Sequence, residues 1–152
     1  MSLHSPLPSS EASFRLLRVL PSRSNNSQIR CELTIAPILS LSGKYIAGSY
    51  VWGPEVAVAT IRVNGIEVQV RENLMGFLHV CRRKWHSFVI WIDALCINQD
   101  DYEERSKQVA TMGQIYANAA AAYYWLGTTP GVVHALDKCE AAAPRRAGVQ
   151  IP

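Results

Sequence analysis

The first half of the chain contains short hydrophobic segments separated by turn residues, which is the pattern of β-strands. FRLLRVL (residues 14–20) predicts a first strand, and PSRSNNS (residues 21–27) predicts a loop. In residues 28–35 the hydrophobic residues occupy alternate positions, which predicts a second strand with one apolar face. KYIAGSYVW (residues 44–52) is a further β-rich run that ends at a Gly-Pro pair.

The segment ATIRVNGIEVQV (residues 59–70) predicts a β-hairpin. Asn64 and Gly65 supply the two positive-φ positions that a type I′ turn requires. Hydrophobic β-branched residues alternate with polar ones on both sides of the turn. This hairpin is the clearest local structure that the sequence predicts.

The spacing of hydrophobic residues changes to a helical period from Glu72 onward. We expect a helix whose buried face is formed by residues three and four positions apart. These residues are Leu74, Phe77, Leu78 and Cys81. The basic run RRK (residues 82–84) follows, and we expect it in the last helical turn, where positive charge suits the helix dipole.

The next part of the chain predicts a strand, a helix and a strand in turn. FVIWI (residues 88–92) is apolar on both faces, as expected of a strand in the middle of a covered sheet. Asp100 or Asp101 can cap a second helix, with a glutamate three residues later in a capping-box arrangement. AAYYWL (residues 121–126) predicts a further buried strand. The expected buried face of the second helix is Val109, Met112, Ile115, Tyr116 and Ala119.

This alternation of helices and strands after the hairpin indicates parallel strands joined by crossover helices. The predicted fold class is therefore α/β, with a mostly parallel sheet flanked by helices and a β-rich N-terminal portion that includes the hairpin. Residues 1–13 are rich in Ser and Pro and are expected to be a disordered leader. Residues 128–152 predict a weakly structured tail, and we expect that the domain is truncated at this end.

Composition narrows the class of protein. The 152 residues suffice for one domain, and 49% hydrophobic with 18% charged residues is ordinary for a globular protein. The net charge of +3 is mild and the basic residues form no broad stripe, so nucleic-acid binding is not expected. No segment has the length of a membrane span or the profile of a secretory signal, which favours a cytoplasmic location.

The four cysteines are widely scattered, with no Cys-x-x-Cys pair and no histidine at the spacing of a metal site. We therefore expect no metal centre. In a reducing compartment we expect the thiols to be free.

Three segments together resemble the fungal HET (heterokaryon incompatibility) domain. YIAGSYVWG (residues 45–53) is similar to the family pattern Y-x-A-L-S-Y-V-W-G. VNGIEVQVRENL (residues 63–74) resembles the family's hairpin followed by N-L. WIDALCINQDDYEERSKQVATMGQIYANAAAAYYWLG (residues 91–127) matches the family signature in order and spacing. The resemblance covers residues 14–127, which we take as the domain.

The resemblance implies a fold similar to the TIR domain and a role in nonself recognition, where HET domains trigger programmed cell death after incompatible hyphae fuse. Many TIR domains act by homotypic association, and some cleave NAD at its nicotinamide bond. The matched signature residues that we take as binding candidates are Ser49, Tyr50, Trp52, Gly53, Asn73, Asn98, Gln99, Arg105 and Gln108.

Two carboxylates are candidates for catalysis. Asp93 follows the buried strand of residues 88–92, and ligands of α/β sheets usually bind beyond the carboxyl ends of strands. The alternative is that Asp93 organises its loop by accepting backbone N–H bonds. Glu104 could act as an acid or stabilise positive charge, but a glutamate in a first helical turn is also favoured by capping and the dipole.

The chain departs from the family pattern at two positions in the domain. Gly48 stands where the family usually has a leucine-like residue, and Phe77 stands where the family favours a small one. The tail also lacks a recognisable version of the segment that carries the catalytic glutamate in enzymatic TIR domains. If the protein ends at Pro152, this lack in the tail argues against catalysis by this chain.

The function that we predict from the sequence is a protein-interaction and cell-death signalling module that associates with itself. The first alternative is an NAD glycohydrolase that uses Asp93 and Glu104, with NAD as substrate and no resident cofactor. The second alternative is an inactive truncated fragment.

Overall fold

A computed structural model of the chain describes residues 3–9, 12–53 and 57–127, without the side chains of residues 57 and 58. Seven strands of these residues form one sheet in the order β5-β4-β2-β1-β6-β3-β7. The strands are β1 (Ser13–Val19), β2 (Arg30–Pro37), β3 (Ile46–Tyr50), β4 (Ala57–Val63), β5 (Ile66–Arg71), β6 (Phe88–Ile92) and β7 (Ala121–Trp125). The helices are α1 (Glu72–Cys81), the single turn α2 (Asp93–Cys96) and α3 (Tyr102–Asn118), with a 3₁₀ turn at Ile38–Leu41.

The sheet is mixed, and five of its strands run in the same direction. β3 pairs in parallel with both β6 and β7, and β2 pairs in parallel with β4. β1 is antiparallel to its two neighbours β2 and β6, and β5 is antiparallel to β4. The α/β class with a β-rich N-terminal portion is confirmed, because β1, β2 and the β4–β5 hairpin precede the alternating helices and strands.

The local predictions that depend on short-range pattern are confirmed. Asn64 and Gly65 have φ angles of 50° and 81°, as a type I′ turn requires. The buried face of α1 is the predicted one, Leu74, Phe77, Leu78 and Cys81. β6 lies between β1 and β3, so FVIWI is an interior strand.

The helices cover both faces of the sheet. Successive side chains of β6 point to opposite faces. On one face, Ile90 and Ile92 lie beside Phe77 of α1. On the other face, the Trp91 ring makes an edge-to-face contact with Tyr116 of α3 at 5.8 Å between ring centroids. The core is therefore two apolar layers separated by the sheet.

Burial differs from the prediction at the second helix and the last strand. Val109, expected in the buried face of α3, is exposed, and Gln108 and Ile115 are the buried residues of this helix. β7, expected to be buried, is the edge strand of the described sheet, and Tyr124 is 70% exposed. A periodic pattern shows which residues share a face, but the packing partners decide whether that face is covered.

The basic run after α1 also lies differently from the prediction. α1 ends at Cys81, so Arg82, Arg83 and Lys84 follow the helix instead of forming its last turn. The Arg83 guanidinium still donates to the carbonyl oxygen of Val80 at 2.8 Å. Arg82 instead donates to the backbone of Asn25 and Ser27 in the β1–β2 loop.

The described residues of the predicted leader lie against the domain. Leu3 packs on the hydrophobic core, and a ring nitrogen of His4 is 3.0 Å from the carbonyl oxygen of Leu95. The backbone oxygen of Ser5 accepts a hydrogen bond from Arg15. The tail, residues 128–152, lies outside the described residues, so its expected truncation concerns a part of the chain that the structure does not describe.

Three of the four thiols are free and buried, as expected of a reduced protein: Cys31, Cys81 and Cys96. Burial raises the pKa of each to about 12. These thiols are therefore protonated at neutral pH and poor nucleophiles.

Candidate functional site

The carboxyl ends of β6, β3 and β7 meet at one edge of the sheet, because these three strands are parallel neighbours. Asp93 directly follows β6, Tyr50 ends β3, and Trp125 ends β7. The backbone N–H of Val51 donates to the carbonyl oxygen of Trp125 at 3.0 Å, which joins the segments that leave β3 and β7. We call this edge the carboxyl-edge site.

Asp93 is a half-buried carboxylate at the start of α2. Its Oδ1 accepts a hydrogen bond from the backbone N–H of Ala94 at 2.7 Å, and its backbone oxygen accepts one from the Gln99 side chain at 3.0 Å. Burial raises the pKa of Asp93, and the Ala94 hydrogen bond offsets only part of that rise. Asp93 thus accepts a backbone N–H within its own loop, as the structural interpretation of this residue expects. It also has a perturbed pKa of the kind that occurs at functional sites.

Tyr50, Trp52 and Arg71 form a layered group beside Asp93. The rings of Tyr50 and Trp52 stack at 6.3 Å with 5° between their planes. The guanidinium of Arg71 lies 4.8 Å from the centroid of the Trp52 ring. Burial raises the pKa of Tyr50 to about 12, helped by the negative charge of Asp93 and opposed by the positive charge of Arg71. Tyr50 is thus subject to the opposed electrostatic effects of a carboxylate and a guanidinium.

A cleft of about 290 Å³ opens beside this group. It is lined by four of the predicted signature residues, Tyr50, Trp52, Asn98 and Gln99. Arg71 and the leader residue His4 also line the cleft. The cleft therefore combines aromatic rings, side-chain amides and a cation, which suits a polar ligand with a planar group.

Ser49 lies on the α3 side of the same edge. Tyr116 of α3 has its hydroxyl 3.4 Å from the carbonyl oxygen of Gly48. Burial raises the pKa of Tyr116, a hydrogen bond with Ser49 lowers it, and the charge of Asp93 raises it again. Ser49, Tyr116 and Asp93 are therefore neighbours, although they come from three different elements.

Glu104 is held in an ion pair with Arg15, which is 1% exposed on β1. Two Arg15 nitrogens donate to the two Glu104 carboxylate oxygens at 2.6 and 2.9 Å. Glu104 also accepts the backbone N–H of Asn98 at 2.8 Å. Burial alone would raise the pKa of Glu104, but the hydrogen bonds from Arg15 and Asn98 and the charge of Arg15 keep the pKa below its usual value.

The capping of α3 is only half of the expected capping box. The side chain of Asp101 accepts the backbone N–H of Glu104 at 3.0 Å, as an N-cap does. The side chain of Glu104 does not complete the box, because the N–H of Asp101 donates to the carbonyl oxygen of Asn98 instead. Glu104 therefore links α3 to β1 and to the loop that carries Asn98.

Asn73 links the ends of all three signature segments. Its side chain donates to the carbonyl oxygen of Val51 at 3.0 Å. Gly53 and Gly127 have φ angles of 69° and 93°, and a Cβ on either would lie 3.0 or 3.2 Å from the Asn73 amide. The segments after β3 and β7 can pack on the start of α1 because both positions are glycine.

Arg105 and Gln108 lie outside the carboxyl-edge site. Arg105 is exposed on α3, with its guanidinium 5.5 Å from the Tyr102 ring centroid. Gln108 is buried and donates to the backbone oxygen of Ser13 at 3.0 Å. Together with Glu104, Gln108 lines a separate depression of about 380 Å³ between α3 and the leader.

The two departures from the family pattern are in direct contact. A Cβ at Gly48 would lie 3.0 Å from Cε1 of Phe77 and 2.9 Å from Cδ1 of Ile90. Phe77 stacks on Trp125 at 5.9 Å. The large side chain on α1 therefore fills the space that a side chain at residue 48 would need.

Sequence reasoning missed Arg15 and Arg71. Arg15 is one of two arginines in a segment predicted as a strand, and its partner Glu104 is 89 residues away in the chain. The contact of Arg71 with Trp52 likewise depends on the order of the strands. Among the described residues, no group of three or more His, Cys, Asp or Glu side chains is placed to hold a metal ion.

Comparison with known proteins identifies the family. The model of the family described as Heterokaryon incompatibility protein (HET) matches residues 45–148, which begin at the first signature segment and extend past Gly127 into the predicted tail. The Neurospora crassa protein named Heterokaryon incompatibility protein 6, OR allele, is 38% identical over 128 residues, which cover 75% of this chain. The chain spans only 18% of the length of that relative. No solved structure matches. The chain therefore belongs to the heterokaryon incompatibility (HET) protein family.

Proposed function

We propose that this chain acts in fungal nonself recognition as a cytoplasmic signalling module that triggers programmed cell death through contacts with protein partners, including further copies of itself. The observation that carries this proposal is an exposed apolar patch at the carboxyl-edge site. We further propose that residues 14–127 form the core of the HET domain, with the leader and the tail as its flanks.

The patch consists of side chains from the segments that end or follow β3 and β7. Val51, Trp52, Tyr124 and Leu126 are exposed by 49%, 43%, 70% and 42%. The Val51–Trp125 hydrogen bond brings the two segments side by side. Exposed apolar side chains that gather at one end of a sheet, instead of lying singly over the surface, point to an interaction site. Arg71 over the Trp52 ring adds the Trp–Arg combination that is enriched at protein interfaces.

Sedimentation velocity of the whole chain with Trp52→Ala tests the proposal. We expect the wild type to associate with increasing concentration and Trp52→Ala to weaken association about tenfold or more, since a central aromatic residue contributes most to an interface. Tyr102→Ala is the matched control. Tyr102 is 74% exposed and its ring lies beside the Arg105 guanidinium, but it belongs to a different surface. Equal association of wild type and Trp52→Ala would refute the assignment of this surface.

A second candidate is the hydrolysis of NAD at its nicotinamide bond. It is favoured by one observation: Asp93 is a carboxylate whose pKa is raised by burial, and it lies at a strand end directly before Ala94, which lines the aromatic cleft. Glu104 supports this candidate less, because its carboxylate is bound to Arg15 and its pKa is lowered. Nicotinamide release by folded protein that disappears in Asp93→Asn would establish the enzyme. Folded wild type with no release would exclude it for this chain.

A further inference from the structure

Two loops at the opposite end of the sheet form a single basic surface. The β1–β2 loop contributes Arg23, and the loop after α1 contributes Arg82, Arg83, Lys84, Trp85 and His86. The backbone N–H of Ser22 donates to the carbonyl oxygen of Arg83 at 3.0 Å. Arg82 donates to the carbonyl oxygens of Ser27 at 2.8 Å and Asn25 at 2.7 Å. These hydrogen bonds fix the two loops against each other, although they are about sixty residues apart.

The basic surface carries more positive charge than the whole chain. The two arginines and the lysine that follow α1, together with Arg23, give a charge of +4. The chain has a net charge of +3, so the rest of the chain sums to −1. Residues 21–29 and 79–88 contain no aspartate or glutamate. Among the described residues, none of these four cations takes part in an ion pair. Arg23 and Lys84 are exposed, whereas Arg82 and Arg83 are half-buried and also donate to backbone carbonyls.

An exposed indole belongs to this surface. Trp85 is 68% exposed, and the guanidinium of Arg23 lies 4.2 Å from its ring centroid. Lys84 and His86, its chain neighbours, are also exposed. The helix dipole does not account for the whole cluster, because α1 ends before it and, of the three basic side chains, only that of Arg83 donates to a carbonyl of the last turn.

We propose that the basic surface docks the domain on an anionic phospholipid membrane. Each exposed lysine or arginine near such a surface strengthens binding by about fivefold, and an indole is the side chain that best occupies the headgroup level. A nucleic-acid site would instead need a longer cationic stripe with several aromatic rings for base stacking. The single Trp among compact cations fits a membrane interface better. No helix of the described residues is long and apolar enough to span a bilayer, so this docking would be peripheral.

The test is co-sedimentation of the whole chain with vesicles of phosphatidylcholine alone or of equimolar phosphatidylcholine and phosphatidylserine. We expect binding only to the anionic vesicles, weakening as salt is added. Arg23→Gln with Trp85→Ala should reduce binding by about tenfold or more. Tyr102→Ala with Arg105→Gln is the matched control, because it removes the same charge and an aromatic ring under a guanidinium elsewhere. Equal binding by both double variants would overturn the proposal.

Quenching by brominated lipids tests the position of Trp85 independently. We expect the anionic vesicles to quench part of the tryptophan fluorescence of the wild type, and Trp85→Phe to lose that part while remaining folded, since the ring is mostly exposed. A DNA duplex is the competing ligand. If the duplex binds as tightly as the vesicles, and Trp85→Phe weakens neither the binding of DNA nor the binding of vesicles, the surface is a general polyanion site and membrane docking is refuted.

Discussion

At the scale of single residues, the two acidic candidates have opposite electrostatic environments. Burial raises the pKa of Asp93. For Glu104, the hydrogen bonds from Arg15 and Asn98 and the charge of Arg15 outweigh burial and lower the pKa. Their contributions to stability must therefore change with pH in opposite directions. This difference supports the proposal of a functional role for Asp93, whereas Glu104 holds α3 to β1 through its ion pair with Arg15.

Glu104→Gln should lower the free energy of unfolding by about 3 kcal/mol at neutral pH, because it leaves the charge of Arg15 buried without a counter-charge. A lowered carboxylate pKa stabilises the fold above the unfolded pKa and loses this effect as the pH falls through the folded pKa. The difference between variant and wild type should therefore shrink in acid. Urea unfolding measures it, and Glu103→Gln, which breaks the exposed pair with Lys107, should change little.

Asp93→Asn should raise the midpoint of thermal unfolding at neutral pH. The folded pKa of Asp93 lies above its unfolded value, so the protonated folded form is favoured in acid, and stability is lost as the pH rises through the folded pKa. Asparagine removes that loss and can still accept the Ala94 N–H. Melts across the acid range measure the effect, and a lower midpoint for the variant at neutral pH would contradict it.

At the scale of elements, the sequence predicts what depends on local pattern and fails where distant partners decide. The hairpin and the buried face of α1 follow from turn residues and spacing, and both are confirmed. The position of β1 between β2 and β6 depends on contacts between distant parts of the chain, so no local sequence pattern predicts it. The same holds within the candidate site. Asp93 was predicted from the end of a strand and Tyr50 from the resemblance to the family, but the contacts of Arg15 and Arg71 depend on sheet order.

The contact between β3 and α1 provides a prediction for a pair of residues. Gly48→Leu alone should cost about 2 kcal/mol through overpacking, and Phe77→Ala alone about 3 kcal/mol through a cavity. Because the side chain at residue 48 would occupy the space of Phe77, the double variant should lose less than the sum by about 1 kcal/mol or more. Chemical denaturation of the four proteins measures the coupling. Additive losses would mean that the two departures from the family pattern are independent.

At the scale of the whole molecule, the proposed activities occupy different places. Association and the candidate chemistry share the carboxyl edge of the sheet, whereas the proposed membrane surface lies on loops at the other end. A domain docked through the basic surface would therefore leave its carboxyl edge accessible to partners. All three proposals require that this chain folds, and a cooperative thermal transition by circular dichroism would exclude the alternative of an inactive fragment that cannot fold alone.

Asp93→Asn distinguishes the remaining two alternatives when death signalling is measured in fungal cells that express the chain. The variant keeps the exposed patch of Val51, Trp52, Tyr124 and Leu126, so a module that acts only through contacts should signal as the wild type does. Trp52→Ala should then abolish signalling and association together. Loss of signalling in Asp93→Asn, with fold and association intact, would refute a pure scaffold. The carboxylate would then be required for something other than fold or association.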